Sequence, residues 1–364
     1  MDASWNAEIT NINHMTNLRI LDASESCGLN DFGIKDLNLI QLNASCNPRI
    51  TYIGHMTNLQ KLKANSYSYI NKYNLKFLFE NLKKLGLKLD VKMKINNLII
   101  SREELKKLNQ FRYCNISDDS LQNLNLKKLF AQNNSKITNI NHMTNLLKLN
   151  ANGKCGITND GILNQNLISL HISENYEITN INHLTKLQKL YANCSNITDS
   201  GIKNLNLIEL YMIGNCKITN LNHMNKLKIL NASSNNTLTN EGIKNLDLIR
   251  LTLKDNKLIK DINHMVNLEY LSITFYGALD NNGIQKLNLI ELNVHQYYRI
   301  TNINHMTNLK KLRASGIKCG IDDYGIKDIN LVELNAGGNF KITNVDIRNQ
   351  LNKSCFDFRP TASS

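Results

Sequence analysis

Seven histidines recur at 14, 55, 142, 183, 223, 264 and 305, each in a string of the form Ile-Thr-Asn-(Ile/Leu)-Asn-His-(Met/Leu) or a close relative. Imidazoles at regular spacing are candidate metal ligands, so zinc chemistry is the first reading to weigh. Five of the six intervals are 40 or 41 residues, and the exception, 55 to 142, covers about two periods. Residues carried by translation on every second stacked strand stand about 10 Å or more apart, whereas a zinc ion holds its ligands at about 2 Å. Neighbouring copies therefore cannot converge on one metal, and they read as surface histidines inherited by duplication. His171 and His295 fall outside the pattern and read as contact residues rather than bases. Eight cysteines, at 27, 46, 114, 155, 194, 216, 319 and 355, include no Cys-x-x-Cys pair, which suits small semi-apolar fillers in a reduced protein. No glycine-rich loop ends in the Lys-Ser/Thr that a phosphate site requires. The expectation is a chain with no catalytic residues, no metal and no cofactor.

These residues are positioned by a repeat. The 364 residues carry 43 Lys+Arg against 30 Asp+Glu, a net charge of +13, with 42% hydrophobic residues and two prolines. The apolar fraction excludes wholesale disorder, and no apolar run approaches the roughly 18 residues that span a bilayer. The start, MDASWNAEIT, has neither the basic end nor the apolar stretch of a secretory signal, so the expected location is cytoplasmic. A second motif, Gly-Ile-Lys-Asn-Leu-Asn-Leu-Ile-Glu-Leu at 201–210, alternates with the histidine strings and divides each period in two. With Leu207-x-x-Leu210-x-Met212-x-x-Asn215-x-x-Ile218 as template, relatives begin at Leu18, Leu39, Leu59, Leu126, Leu146, Leu167, Leu187, Leu227, Leu248, Leu268, Leu289, Leu309 and Leu331. Weaker relatives at Leu82 and Leu105 make sixteen units, with a truncated one before them at Met1–Asn6.

This spacing resembles the leucine-rich repeat family over nearly the whole chain. The half-period Leu187-x-x-Leu190-x-Ala192-x-Cys194-x-x-Ile197-Thr198-Asp199 is similar to the cysteine-containing subtype of F-box substrate receptors. The other half, Ile218-x-x-Leu221-x-x-Met224-x-x-Leu227, resembles a short bacterial subtype. The alternation and the Asn/Ile/Lys bias resemble repeat proteins of giant amoeba-infecting DNA viruses. The resemblance implies an α/β fold: a curved leucine-rich-repeat solenoid with a parallel inner β-sheet and short helices or 3-10 arcs on the convex side.

Elementary geometry agrees. Leu-x-x-Leu-x-Ala forms a short strand whose alternate residues point inward, too small to fold without stacked neighbours. Apolar residues three apart suit a 3-10 or extended arc, and Thr198 or Asp199 is placed to cap a short helix. The asparagine at position nine (Asn47, Asn134, Asn175, Asn215, Asn256, Asn339) is expected to turn inward and bond backbone amides, with Tyr297 interrupting the series. Residues 1–345 thus form the array, 66–115 read as degenerate units, and 346–364 as a short tail.

The remaining signal lies on the strand face, at positions three, five and seven. Position three reads Lys61, Lys84, Lys107, Lys128 and Lys148 in five consecutive units, with Lys63 nearby. Like charges on adjacent strands repel, so folding alone does not favour such a row. Later units alternate Lys189 with Glu209, and Glu291, Lys311 and Glu333, which suits cross-strand pairing. Position five carries Phe130, His171, Tyr191 and Tyr211, rings of the kind that anchor interfaces. The expected function is non-catalytic recognition of a protein partner, acidic in character, on the concave face, with substrate or host-factor recognition implied by the resemblance. The alternatives are binding of nucleic acid or an acidic membrane by the basic stripe at 61–148, and a purely structural or relic paralogue.

Overall fold

A computed structural model describes residues 1–66 and 114–343. The chain divides into two compact units, 1–187 and 188–364. In the first, six three-residue strands pair in parallel in chain order: β1 (Ile20–Asp22), β2 (Gln41–Asn43), β3 (Lys61–Lys63), β4 (Lys128–Phe130), β5 (Lys148–Asn150) and β6 (Ser169–His171). The second pairs eight in the same way: β7 (Lys189–Tyr191), β8 (Glu209–Tyr211), β9 (Ile229–Asn231), β10 (Arg250–Thr252), β11 (Tyr270–Ser272), β12 (Glu291–Asn293), β13 (Lys311–Arg313) and β14 (Glu333–Asn335). Each unit is a leucine-rich-repeat solenoid. Its strands are short because only the central leucine, such as Leu129 or Leu210, points into the core, while its neighbours face solvent.

The two half-periods solve the return arc differently. A single helical turn follows alternate strands: residues Phe32–Ile34, α1 (Asp118–Leu121) and Asp160–Ile162 in the first unit, then α2 (Asp199–Ile202), α3 (Asn240–Ile243), Asn282–Ile284 and Tyr324–Ile326 in the second. The intervening arcs bury residues three apart through successive tight turns, as where Met224 N–H donates to Leu221 O (2.9 Å) and Leu227 N–H to Met224 O (3.0 Å). The helical turn lies so close to the preceding arc that a Cβ on Gly242 would stand 2.1 Å from Thr219 O, which explains the glycine of the second motif. Asp199 does not cap α2. Its carboxylate reaches the next arc, accepting from Thr219 N (2.8 Å) and Oγ1 (2.6 Å), as Asp31, Asp118 and Asp323 do toward Thr51, Thr138 and Thr343.

The asparagine series is buried and doubly used. Asn47 Nδ2 donates to Ala23 O (2.8 Å) and Leu29 O (3.2 Å) of the preceding coil, while its Oδ1 accepts from Arg49 N (2.9 Å). Asn134, Asn175 and Asn339 repeat this arrangement, so carbonyls of the preceding coil join the amides expected as partners. Tyr297 fills its slot differently: fully buried, it donates from its hydroxyl to Leu279 O (2.6 Å).

The periodic histidines are also more than inherited surface. Nε2 of His55, His142 and His183 lies 2.9–3.3 Å from the carbonyl oxygens of Ile34, Leu121 and Ile162. In the second unit His223, His264 and His305 repeat the contact with Ile202, Ile243 and Ile284. Each of these carbonyls also accepts a backbone N–H, as Ile202 O does from Leu205 (2.9 Å), so the ring adds a second partner from the next period. Among the described residues no three His, Cys, Asp or Glu side chains are placed to share a metal. Cys27, Cys46, Cys114, Cys155 and Cys319 are buried, whereas Cys194 and Cys216 are exposed, and burial pushes the Cys114 and Cys155 thiols up to about 12.

One spacing has a different cause from the one expected. β3 pairs directly with β4, placing Lys61 opposite Lys128. Across the same join Cys114 N–H donates to Ser66 Oγ (2.9 Å), and Cys114-Asn115-Ile116 occupies the place that Cys155-Gly156-Ile157 holds two strands later. The interval from His55 to His142 is 87 residues, and removing the 47 residues 67–113 leaves 40, one ordinary period. The weak units expected at Leu82 and Leu105, with Lys84 and Lys107, lie outside the described residues. Deleting 67–113 and joining Ser66 to Cys114 through a two-glycine bridge is expected to leave the array folded. Circular dichroism and the urea midpoint of the shortened chain check this; loss of cooperative unfolding would contradict it.

Candidate functional site

The strand face is built by backbone alternation: with the central leucine buried, its two neighbours face away from the core. In the first unit, register brings Lys61, Lys128 and Lys148 side by side on β3, β4 and β5. The consecutive lysines in the described sheet are therefore three rather than five, because no strand stands between β3 and β4. Burial first, and then the positive charges of Lys63, Lys128 and Lys148, hold Lys61 below its ordinary pKa. Lys61 Nζ also lies 5.8 Å from the centre of the Phe130 ring. The next row across the same face runs Lys63, Phe130, Asn150, His171, so an asparagine separates the two rings.

Desolvation, with a smaller contribution from the Lys148 charge, lowers His171 to about 4. This ring is neutral at physiological pH and can accept a hydrogen bond. The sign for stability follows: in the unfolded chain it takes a proton near its ordinary 6.5, which the folded chain refuses until about 4. Stability is expected to fall as pH drops through that window, and a His171→Asn variant to lose less than the wild type. Urea midpoints of both proteins at pH 7 and pH 4.5 check this; equal losses would contradict it.

In the second unit the two tyrosines meet. Tyr191 and Tyr211 occupy the same register on β7 and β8, with ring centres 4.5 Å apart and planes 4° from parallel. Burial first, and then its partner ring and Glu209, push the Tyr191 phenol up to about 12. Tyr211 is raised as well, again mainly by burial. Beside the rings Lys189 and Glu209 form a 2.7 Å ion pair, the cross-strand pairing anticipated for the later units. Lys311 and Glu333 form another at 3.3 Å. With half-exposed lysines and more covered glutamates, these pairs contribute on the order of 1 kcal/mol or less each. Their effect is to hold the face in one arrangement.

Sequence reading overlooked Tyr270 and Arg250. They occupy position three on adjacent strands, and the guanidinium carbon lies 4.0 Å from the ring centre. Reading position three for aromatics as well as charge would have found Tyr270. Hydroxyls, asparagines and stacked rings are equipped to bind a surface, and among them Ser315 Oγ lies 2.7 Å from His295 Nδ1 at position seven of adjacent units.

No family model matches the chain, and no curated protein matches it. Among solved structures, one from the yeast Rad7–Elc1 complex is similar over 91% of this chain and 80% of its own, at 16% identity and a TM-score of 0.38. The functional domain of InlJ from Listeria monocytogenes matches over 85% of this chain and 70% of its own, at 16% identity and a TM-score of 0.43. One from the mouse RP105/MD-1 complex matches over 88% of this chain and 59% of its own, at 15% identity and a TM-score of 0.45. Among the described residues no helix is long and apolar enough to cross a membrane.

Proposed function

We propose that this chain is a non-catalytic recognition module that binds a protein partner on its strand faces. The observation that carries the reading is the Tyr191–Tyr211 stack, two half-buried rings 4.5 Å apart on the strand face. Rings already held in place lose little freedom on binding and bring a large contact area, which is why tyrosine is enriched among interface anchors. In the first unit the row Lys61, Lys128, Lys148 sets three positive charges on adjacent strands and favours a partner with an acidic surface. Substrate or host-factor recognition is the role this arrangement suits.

The same lysine row favours a second reading, an anionic ligand such as nucleic acid or an acidic membrane. Salt separates the two, since phosphate binding weakens steeply between about 50 and 200 mM salt. The test is affinity capture from the native cells with the wild type, a Tyr191→Ala/Tyr211→Ala variant and a Lys61→Glu/Lys128→Glu/Lys148→Glu variant. A discrete protein retained at moderate salt by the wild type and lost from the tyrosine variant supports recognition. Nucleic acid or lipid that leaves with salt and with the lysine variant supports the second reading. Indistinguishable eluates from all three would refute both.

A further inference from the structure

The second unit carries another built surface, on the loops that leave the carboxyl ends of β9 to β12. Two adjoining clefts open there, of about 440 Å³ and 490 Å³, and Lys257 and Tyr276 line both. The first is also lined by Lys254 and Phe275. The second is also lined by Lys260, Tyr298, Arg299 and Gly277, where a Cβ would stand 2.9 Å from the Tyr297 hydroxyl. Tyr276 and Tyr298 are 56% and 51% exposed, so their rings remain available to a ligand.

Cations surround these rings. Lys254 Nζ lies 4.6 Å from the Phe275 centre, Arg299 Cζ 5.2 Å from that of Tyr298, and Lys318 Nζ 3.2 Å from the Tyr276 hydroxyl. None of Lys254, Lys257, Lys260, Arg299 and Lys318 makes an ion pair among the described residues. The two carboxylates lining the clefts hold backbone instead: Asp255 accepts from Tyr276 N (3.1 Å), and Asp280 from Asn282 N (3.0 Å) and Gly283 N (3.1 Å). Five basic groups thus stand against two occupied acids.

Duplication explains part of this. The eleventh position of other units is also basic, as at Arg49, Lys136, Lys217 and Lys341. Phe275 sits in the left-handed region at φ 63. The eighth position adopts that conformation in other units with Gly153, Gly214, Gly316 and Gly338, with Trp5 in the truncated first unit, and with small or polar residues elsewhere. Phe275 thus keeps the backbone of the repeat while its ring lines the first cleft.

We infer that this rim binds single-stranded nucleic acid, with bases stacked on Tyr276 and Tyr298 and phosphates held by Lys257, Lys260 and Arg299. A chain that repeats one flat ring and one anionic group per unit matches two clefts that share a ring and a cation. An acidic peptide would satisfy the cations and leave the exposed ring faces uncovered. Each base–aromatic stack is worth about 1–3 kcal/mol, and such binding is insensitive to sequence. The site is independent of the strand face and adds to the reading proposed above.

The test uses the full chain and fluorescein-labelled 12-mers of uridine and thymidine, followed by anisotropy at 50 and 200 mM salt. Tyr276→Ala and Tyr298→Ala are each expected to weaken binding by about tenfold. Lys257→Glu/Arg299→Glu is expected to weaken it more and to flatten the salt dependence, while Tyr211→Ala leaves it unchanged. A 4-thiouridine oligomer is expected to crosslink to peptides containing Tyr276 or Tyr298. Absence of binding, crosslinks found only elsewhere, or tyrosine variants that bind like the wild type would overturn the assignment. So would displacement of the oligomer by polyglutamate at equal charge, which would assign the rim to an acidic polypeptide.

Discussion

Replacing Asn215 with alanine is expected to destabilise the second unit by about 3 kcal/mol, since each orphaned buried polar group costs about 1–3 kcal/mol. The side chain is 1% exposed and makes four hydrogen bonds. Nδ2 donates to Ser195 Oγ (3.3 Å) and Ile197 O (3.2 Å), and Oδ1 accepts from Lys217 N (2.8 Å) and Ile218 N (3.2 Å). Alanine satisfies none of these groups and leaves a small void, and water has no open route to them. An Asn215→Asp variant separates donor from volume: it keeps the accepting oxygen but sets a carboxylate against the Ile197 carbonyl. It is expected to cost as much as alanine. Urea denaturation gives the sum. Hydrogen exchange gives the place, because an array of stacked units can open locally around one broken rung. Variants that unfold like the wild type would show that the ladder holds no weight in the fold.

The second large effect concerns the partner. With the captured protein in hand, Tyr211→Ala is expected to weaken binding by at least about 30-fold, the 2 kcal/mol or more that marks an interface anchor. Tyr211→Phe keeps the stack on Tyr191 and is expected to retain most of the affinity. By contrast, removing the Lys189–Glu209 pair with Lys189→Ala/Glu209→Ala is expected to change affinity by less than about tenfold, because such pairs contribute little. Titration calorimetry on the four proteins checks the ranking. Equal losses for the phenylalanine and alanine variants would shift the recognition from the ring to its hydroxyl.

Much of the architecture was legible because one pattern is written many times. The strong Leu-x-x-Leu units fall on the fourteen strands, and the two half-period motifs fall on the two kinds of arc. Legibility failed where a residue acts on another copy of the repeat. Asp199 looks like a helix cap when read along the chain, yet its partner is Thr219, twenty residues on. The histidines look incidental because their carbonyl partners lie 21 residues earlier, in backbone that carries no sequence signal. The left-handed eighth position was invisible for a similar reason, since Cys46, Glu174, Asp255 and Phe275 hold it as well as glycines do. The row of five lysines came from assuming that 66–115 keeps the repeat register, whereas the pairing of Lys61 with Lys128 shows the register resuming after one period.

The site was legible as a face and not as a constellation. Strand alternation located Phe130, Tyr191 and Tyr211, but only register shows that two of them stack while Asn150 stands between Phe130 and His171. The rim clefts were hidden altogether, because their cations come from three different loops, after β10, β12 and β13, and each looks unremarkable in its own repeat.

Recognition on the strand face is tested most directly by hydrogen exchange of the chain with and without its captured protein. The account predicts slowed exchange in peptides containing 189–191 and 209–211, with little change at the helical turns 199–202 and 240–243. Protection confined to those turns, or none in any strand, would contradict it.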